Sequence, residues 1–237
     1  MSARTRIEWT YASWNPLTGC TKISPGCNHC YAERMAVRLK ATGVPKYATG
    51  FKLTLHEDLL DLPLTWKRPH AIFVNSMADL FHKDVPAEFI LRVFEVMRRA
   101  DWHSYQILTK RSDRLLELSP RLQFLPHLSV GVTVENQAYA FRIDHLRRTG
   151  AATRFISMEP LLGPVRDLDL RGINWVYAGG ESGPNARPMD PAWVEEIQAQ
   201  CERQGVSFHL KQWGGKSRNK TEDEPVRALT LFPELDG

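Results

Sequence analysis

Short apolar runs alternate with longer amphipathic stretches along this chain. Six runs are four or five residues long, contain β-branched or aromatic residues, and are bounded by polar residues or glycine, which is typical of strands. They are Ala71–Val74, Tyr105–Leu108, Leu128–Val132, Arg154–Met158, Ile173–Tyr177 and Val206–Leu210. A further strand is expected ahead of them at Ile7–Tyr11.

Helical periodicity fills most of the gaps between these runs. Within Glu88–Arg99 the apolar residues recur on one face, as in a helix that packs on a sheet. Asp190 and Pro191 provide an N-cap and a first-turn proline for a helix that ends at Arg203. Helices are also predicted over Cys30–Lys40 and Gln137–Arg148. Residues 41–68 fit neither pattern and are predicted to be an insertion.

Strands that alternate with helices predict an α/β fold built from βαβ units. About six or seven parallel strands would form a partial or complete β/α barrel, with an open doubly wound sheet as the other arrangement. We expect a single domain over residues 1–215 and a mobile C-terminal tail over 216–237. Both architectures place functional groups beyond the carboxyl ends of the strands.

Polar residues and glycines follow nearly every predicted strand. They are Ser76 and Asp79, then Lys110, then Thr133, Glu135 and Asn136, then Glu159, then Gly179, Gly180 and Glu181, and finally Lys211. Each one alone would be interpreted as an exposed loop residue. Together they would surround one mouth if the sheet curves.

The cysteines are unevenly placed. Cys20, Cys27 and Cys30 fall within eleven residues, whereas Cys201 stands alone in a predicted helix, as a small buried apolar side chain. Clustered thiolates are soft ligands for iron–sulfur clusters and zinc. Structural zinc needs four closed ligands, whereas a cubane on three cysteines leaves one iron open. The count favours an iron–sulfur site, and zinc stays an alternative if histidines elsewhere complete it.

The composition excludes some classes of protein but does not identify a function. The 237 residues include 31 Lys and Arg against 27 Asp and Glu, so the formal charge is +4 and the pI is about 8.9. This balance suits an anionic substrate without requiring one. Mean hydropathy is −0.36, and no apolar run approaches the roughly 20 residues of a spanning helix. The first residues lack the apolar core of a secretory signal, so a cytoplasmic location is expected.

Three features resemble the radical S-adenosylmethionine superfamily: the cysteine trio after the first strand, Tyr31 beside the last cysteine, and the following β/α series. Most of the chain is also similar to a phage-associated three-cysteine-motif family of unknown function. That similarity is carried by Trp14–Pro16 through Cys30–Ala32, and by Gly131–Asn136, Met158–Gly163, Gly179–Gly183 and Lys211–Gly214.

The resemblance implies a [4Fe–4S] cluster on the three cysteines, an S-adenosylmethionine cofactor, and reductive cleavage to a 5′-deoxyadenosyl radical that modifies or repairs a substrate. It also implies an electron donor and a three-cysteine-motif partner protein. The substrate is not identified by it. Mild basicity, the lysines at the mouth and the phage association extend the expectation to a nucleic acid or nucleotide.

The strand-end residues have the chemistry to contact such a cofactor or its substrate. The residues expected to bind the cofactor are Tyr31, Ser76, Asp79, Thr133, Glu135, Asn136, Gly179, Gly180 and Glu181. Catalytic roles are expected for Glu159, Lys110 and Lys211. Helix caps, tight turns and ion pairs at the barrel mouth are the competing interpretations.

Aromatic residues near the cysteines allow two interpretations as well. Trp9, Trp14, Trp213 and Tyr31 are expected either to stack on a base or to pack in the core. For the whole protein, the competing hypotheses are a zinc-stabilised adaptor without catalysis and a cluster protein that retains only a regulatory role.

Overall fold

The computed structural model describes residues 12–215. In chain order the elements are β1 (Ala12–Trp14), β2 (Leu17–Thr18), α1 (Tyr31–Ala41), β3 (Thr54–Leu55), α2 (Leu62–Thr65), β4 (Ala71–Val74), α3 (Ala87–Arg99), β5 (Ser104–Thr109), α4 (Ser112–Leu118), β6 (Leu128–Thr133), α5 (Phe141–Arg147), β7 (Thr153–Met158), β8 (Trp175–Gly179), α6 (Pro191–Arg203) and β9 (Ser207–Gln212). Seven strands form one parallel sheet in the order β1-β4-β5-β6-β7-β8-β9, and β2 pairs with β3 in a separate antiparallel ribbon.

Within residues 12–215 the seven-stranded sheet is curled but open, because β1 and β9 lie at its two edges and do not pair with each other. Strand order follows chain order, so every crossover advances by one strand in the same direction. The predicted partial β/α barrel is therefore confirmed.

The two faces of the sheet differ because side chains alternate along each strand. On β6, Val130 and Val132 join the main apolar core with residues of α3, α4 and α5. The alternate residues Ser129, Gly131 and Thr133 face the concave side, where a Cβ at Gly131 would lie 2.4 Å from the Phe155 ring, so that glycine accommodates the ring. Helices thus cover the convex face, and the concave face is left for the site.

An aromatic layer fills the lower part of the concave face. Phe155 and Trp175 stack with ring centroids 5.7 Å apart, and Tyr177 meets Phe155 edge-on at 6.0 Å. Partly buried Leu108 packs against them. Trp14 lies on the other face, fully buried in the main core with its Nε1 donating to the Leu59 carbonyl at 2.8 Å. For Trp14 the core-packing interpretation is correct.

Most predicted elements are present with small shifts at their ends. Ala71–Val74 is reproduced without change. The expected helix over Gln137–Arg148 divides into a 3₁₀ turn at Gln137–Tyr139 and the short α5. Helix α4 was not predicted. The strand expected at Ile7–Tyr11, the mobile tail at 216–237 and Trp9 lie outside the described residues.

Residues 41–68 cover one side of the concave face. Leu55 and Thr54 of β3 pair with Leu17 and Thr18 of β2. Lys46 Nζ donates to the Asn15 carbonyl at 2.8 Å, so the segment is tied to the end of β1. Among the described helices, none has the length and apolar character needed to cross a membrane.

Candidate active site

A cavity of about 870 Å³ lies at the carboxyl ends of the parallel strands. The three clustered cysteines line it, together with nine strand-end or loop residues named from the sequence: Tyr31, Ser76, Asp79, Lys110, Thr133, Glu159, Gly180, Glu181 and Lys211. Glu135, Asn136 and Gly179 are not part of its wall. The cysteines reach it on residues 19–30, here called the cysteine loop.

The cysteine loop starts at a position that only glycine fits. Gly19 has φ +84°, and a Cβ there would lie 2.2 Å from the Lys52 carbonyl oxygen. Its N–H donates to the Met77 carbonyl at 3.0 Å, and Cys20 N–H donates to the Phe51 carbonyl at 3.3 Å. Cys20 is therefore held between the end of β4 and the segment 41–68.

Glu135 anchors the middle of the cysteine loop from behind. This carboxylate is completely buried, accepts from the Ser24 hydroxyl through Oε1, and accepts from Arg142 Nη1 at 2.8 Å through Oε2. A Cβ at Gly26 would approach the Glu135 side chain to 2.7 Å, so loop and carboxylate are in direct contact. Glu135 was expected to bind the cofactor; the structure places it behind the loop rather than in the cavity wall, with both oxygens hydrogen-bonded to the protein.

Glu181 anchors the end of the cysteine loop. It accepts from His29 Nδ1 at 2.8 Å and from Arg187 Nε and N–H at 3.0 Å, and Arg187 Nη2 donates to the Pro25 carbonyl at 2.9 Å. Burial by itself raises the pKa of Glu181, but the hydrogen bonds from Arg187 and His29 outweigh it and lower the pKa to about 2. Glu181 is thus ionised at neutral pH and tied to the loop.

The three thiols have different surroundings. Cys20 Sγ is 3.6 Å from Arg111 Nη2, and Cys27 Sγ is 3.6 Å from the Ser24 hydroxyl. Cys30 packs at the start of α1 against a small apolar cluster. Burial, followed by the Asp79 carboxylate, raises the pKa of the Cys20 thiol, and Arg111 opposes both. Within residues 12–215, no three His, Cys, Asp or Glu side chains are close enough to hold one metal ion.

The two residues expected to contact the cofactor after β4 are engaged within the protein. Asp79 accepts from Thr109 Oγ1 at 2.7 Å, from Phe81 N–H at 3.0 Å, and from Lys110 N–H at 3.1 Å. Ser76 bonds the Ser13 hydroxyl at 2.7 Å. Asp79 therefore joins the ends of β4 and β5, as the loop-capping interpretation expects.

Asn75, which the sequence pattern did not single out, is a polar group on this wall without a hydrogen-bond partner among residues 12–215. It is 4% exposed, has φ +62°, and neither amide atom has a hydrogen-bond partner within the described chain. Thr133 Oγ1 is likewise buried and unpartnered. Both residues line the cavity. Orphaned buried polar atoms and a strained backbone together indicate a ligand site.

An ion pair marks the other side of the mouth. Lys211 Nζ lies 2.9 Å from Glu159 Oε1, and Ser157 Oγ donates to Glu159 Oε2 at 3.2 Å. Lys110 lines the same cavity. This matches the ion-pair interpretation of Glu159 and leaves the carboxylate and ammonium at the wall.

The Gly-Gly pair serves close packing at the ends of β8 and β9. A Cβ at Gly180 would lie 2.0 Å from the Trp213 carbonyl oxygen, and one at Gly179 would lie 2.9 Å from Glu159 Oε1. Gly180 N–H donates to the Gln212 carbonyl at 2.9 Å. Asn136 uses its side chain to cap the Gln137–Tyr139 turn. The tight-turn and capping interpretations therefore account for these positions.

Two peripheral predictions can be placed as well. Tyr31 is 56% exposed at the rim of the cavity, and Trp213 is 37% exposed beyond β9. Cys201 is completely buried in α6, away from the loop, as expected. Burial raises its pKa to about 11.

The donor set of the cavity suits a thiolate-bound cluster with a polar ligand beside it. Cys20, Cys27 and Cys30 lie on one wall, and thiolate is the ligand that iron–sulfur clusters require. The orphaned Asn75 amide and Thr133 hydroxyl supply donors and acceptors to a ligand in the same cavity.

Solved structures share this fold at low sequence identity. A spore photoproduct lyase variant with bound AdoMet and dinucleoside spore photoproduct matches with a TM-score of 0.54 and 11% identity, over 89% of this chain and 78% of that one. A spore photoproduct lyase complexed with the same dinucleoside matches with a TM-score of 0.53 and 10% identity, over the same shares. No curated protein sequence matches.

A family model covers nearly the whole chain. The model described as a protein of unknown function, DUF5131, matches residues 4–230. The chain therefore belongs to the DUF5131 family.

Proposed function

We propose that this protein is a radical S-adenosylmethionine enzyme that carries a [4Fe–4S] cluster on Cys20, Cys27 and Cys30. The observation that carries the proposal is that all three cysteines line one cavity, at the carboxyl ends of the seven parallel strands that the structure describes. Likeness in fold to a spore photoproduct lyase solved with AdoMet supports the same cofactor.

When bound, cluster and cofactor together supply a one-electron reductive cleavage of the sulfonium to a 5′-deoxyadenosyl radical. The chain itself holds the ligands and excludes water. Glu135 and Glu181 fix the cysteine loop through buried hydrogen bonds. The aromatic layer of Phe155, Trp175 and Tyr177 closes the lower end of the concave face.

Asn75 and Thr133 are the proposed polar contacts to S-adenosylmethionine. The Asn75 carbonyl can accept from an ammonium group, its NH₂ can donate to a carboxylate or ring nitrogen, and the Thr133 hydroxyl suits a ribose. Asn75 takes the role first expected of Ser76 and Asp79, whose polar atoms are already bonded.

The proposed substrate is a nucleotide or nucleic acid. Lys110 and Lys211 at the cavity wall suit a phosphate, and Glu159 stands beside Lys211 to accept from a substrate donor. A spore photoproduct lyase is itself solved in complex with dinucleoside spore photoproduct. Short DNA and RNA oligonucleotides should bind at low salt and weaken as salt rises. No binding at low salt would remove this substrate class.

The direct test is product formation under anaerobic conditions. Protein purified and reconstituted without oxygen is incubated with dithionite and S-adenosylmethionine, and 5′-deoxyadenosine is measured by liquid chromatography and mass spectrometry. We expect product from the wild type and from Cys201→Ala, whose cysteine lies in α6. Cys27→Ala should give none.

Two results would contradict the proposal. One is a protein that carries iron and sulfide yet releases no 5′-deoxyadenosine. The other is one zinc per chain without sulfide, which would support the zinc-stabilised adaptor.

The electron donor and the three-cysteine-motif partner remain predictions. Pull-down with a tagged Cys201→Ala protein under anaerobic conditions would test both.

A further inference from the structure

Arg111 is a buried cation in contact with one cysteine of the loop. It follows β5, is 7% exposed, and points Nη2 at Cys20 Sγ from 3.6 Å. The same Nη2 donates to the Thr21 carbonyl at 2.9 Å and to Thr21 Oγ1 at 3.0 Å. In the described part of the chain, Cys27 and Cys30 have no charged donor of this kind, so the three thiols are not equivalent.

The charge of Arg111 is only partly compensated. Its nearest carboxylate oxygen, Asp79 Oδ2, lies 4.0 Å from Nε, and Nε has no hydrogen-bond partner among residues 12–215. Asp79 is already bonded to Thr109 and to two backbone N–H groups, which fixes its position. The guanidinium charge therefore lies within hydrogen-bonding distance of Cys20 Sγ, which shares Nη2 with the carbonyl and hydroxyl of Thr21.

A hydrogen bond from a cation to a cluster sulfur favours the more negative, reduced state of the cluster. We propose that Arg111 is a positioning residue that raises the reduction potential of the cluster through Cys20 Sγ. One electron passes from an external reductant to the cluster, and no covalent bond forms or breaks. This inference rests on the proposed cluster.

The potential itself is the measurement that separates tuning from mere support of the loop. Wild type, Arg111→Gln, Arg111→Lys and Arg114→Gln are reconstituted anaerobically and titrated with dithionite, with electron paramagnetic resonance of the reduced cluster as the signal. Arg114 is the matched control, since its guanidinium donates to the Lys83 and Val85 carbonyls rather than to a sulfur.

We expect a more negative midpoint potential in Arg111→Gln, an intermediate value in Arg111→Lys, which keeps the charge, and the wild-type value in Arg114→Gln. Equal potentials in wild type and Arg111→Gln would overturn the tuning role. So would a folded Arg111→Gln that takes up no cluster while Arg111→Lys does, because Arg111 would then support the loop only. A wild type without iron and sulfide would overturn the proposed function as well.

Discussion

The polar side chains that hold the cysteine loop and those at the ends of β4 and β6 differ in how completely they are hydrogen-bonded. Glu135 and Glu181, which hold the cysteine loop, are buried and use both carboxylate oxygens for hydrogen bonds within the protein. Asn75 and Thr133, at the ends of β4 and β6, are also buried, and they have polar atoms without a hydrogen-bond partner among residues 12–215. Buried polar groups with all their hydrogen bonds made hold the protein framework in place, whereas buried polar groups without a partner are suited to bind a ligand. Stability and ligand affinity should therefore depend on different residues.

The largest effect on stability is expected from Glu135→Ala. Its removal leaves Arg142 buried without a carboxylate, and breaking such a buried pair costs about 3–5 kcal/mol. The free energy of unfolding from urea titration should fall by that amount, and iron uptake should fall with it.

Glu95→Ala is the control for that change. Glu95 pairs with Arg98 on the exposed side of α3, with both side chains about half exposed, and such pairs contribute at most about 1 kcal/mol. Equal losses in the two variants would contradict an anchoring role for Glu135.

Glu181→Gln should change how stability depends on pH. Because the folded-state pKa of Glu181 is about 2, below its ordinary 4.5, the ionised side chain stabilises the fold fully above pH 4.5. This contribution is lost as the pH falls toward 2. The wild type should therefore lose more stability than Glu181→Gln between pH 4.5 and 2.

Thermal unfolding scans across that range provide the measurement. If the melting temperatures of wild type and Glu181→Gln fell equally with pH in this range, the Arg187 and His29 contacts would not lower the pKa of Glu181. Buffers of constant ionic strength keep the screening of surface pairs the same.

Asn75→Ala should act on ligand affinity. Removing a buried amide that bonds S-adenosylmethionine should weaken binding roughly tenfold, the equivalent of about 1.4 kcal/mol. Calorimetric titration of the anaerobically reconstituted protein provides the measurement. This amide has no hydrogen-bond partner among residues 12–215, so stability should fall only by the roughly 1–2 kcal/mol that alanine costs at φ +62°. Unchanged affinity would remove Asn75 from the binding site.

Asn75→Gly sharpens the same contrast with the smallest expected effect. Glycine adopts φ +62° without steric cost, so relief of strain should raise stability by up to about 1 kcal/mol while affinity falls as in Asn75→Ala. A variant that is less stable by a similar amount would indicate that the Asn75 side chain holds the β4 loop.

The fold was predictable because its signal is local. Strands such as Ala71–Val74 are bounded by polar residues, and parallel strands bring their carboxyl ends to one edge, which placed Thr133 and Glu159 at the cavity. Asn75 could have been found the same way, since it is the first polar residue after Val74 at the carboxyl end of that strand.

The anchoring contacts could not have been predicted, because they depend on the path of the loop. Ser24 and Glu135 are 111 residues apart, and Cys20 and Arg111 are 91 apart. Nothing in the local pattern distinguishes a strand-end glutamate that faces the cavity from one that lies behind a loop. The same limit applied to His29, which lies within the Cys-x-x-Cys turn and bonds Glu181.

Iron and acid-labile sulfide, measured per chain after oxygen-free reconstitution, decide whether the three loop cysteines hold a cluster. We expect iron and sulfide in equal amounts in the wild type and in Cys201→Ala, and their loss when any one of Cys20, Cys27 or Cys30 is replaced by alanine. Zinc without sulfide, or a full complement of iron and sulfide after loss of a loop cysteine, would contradict this expectation.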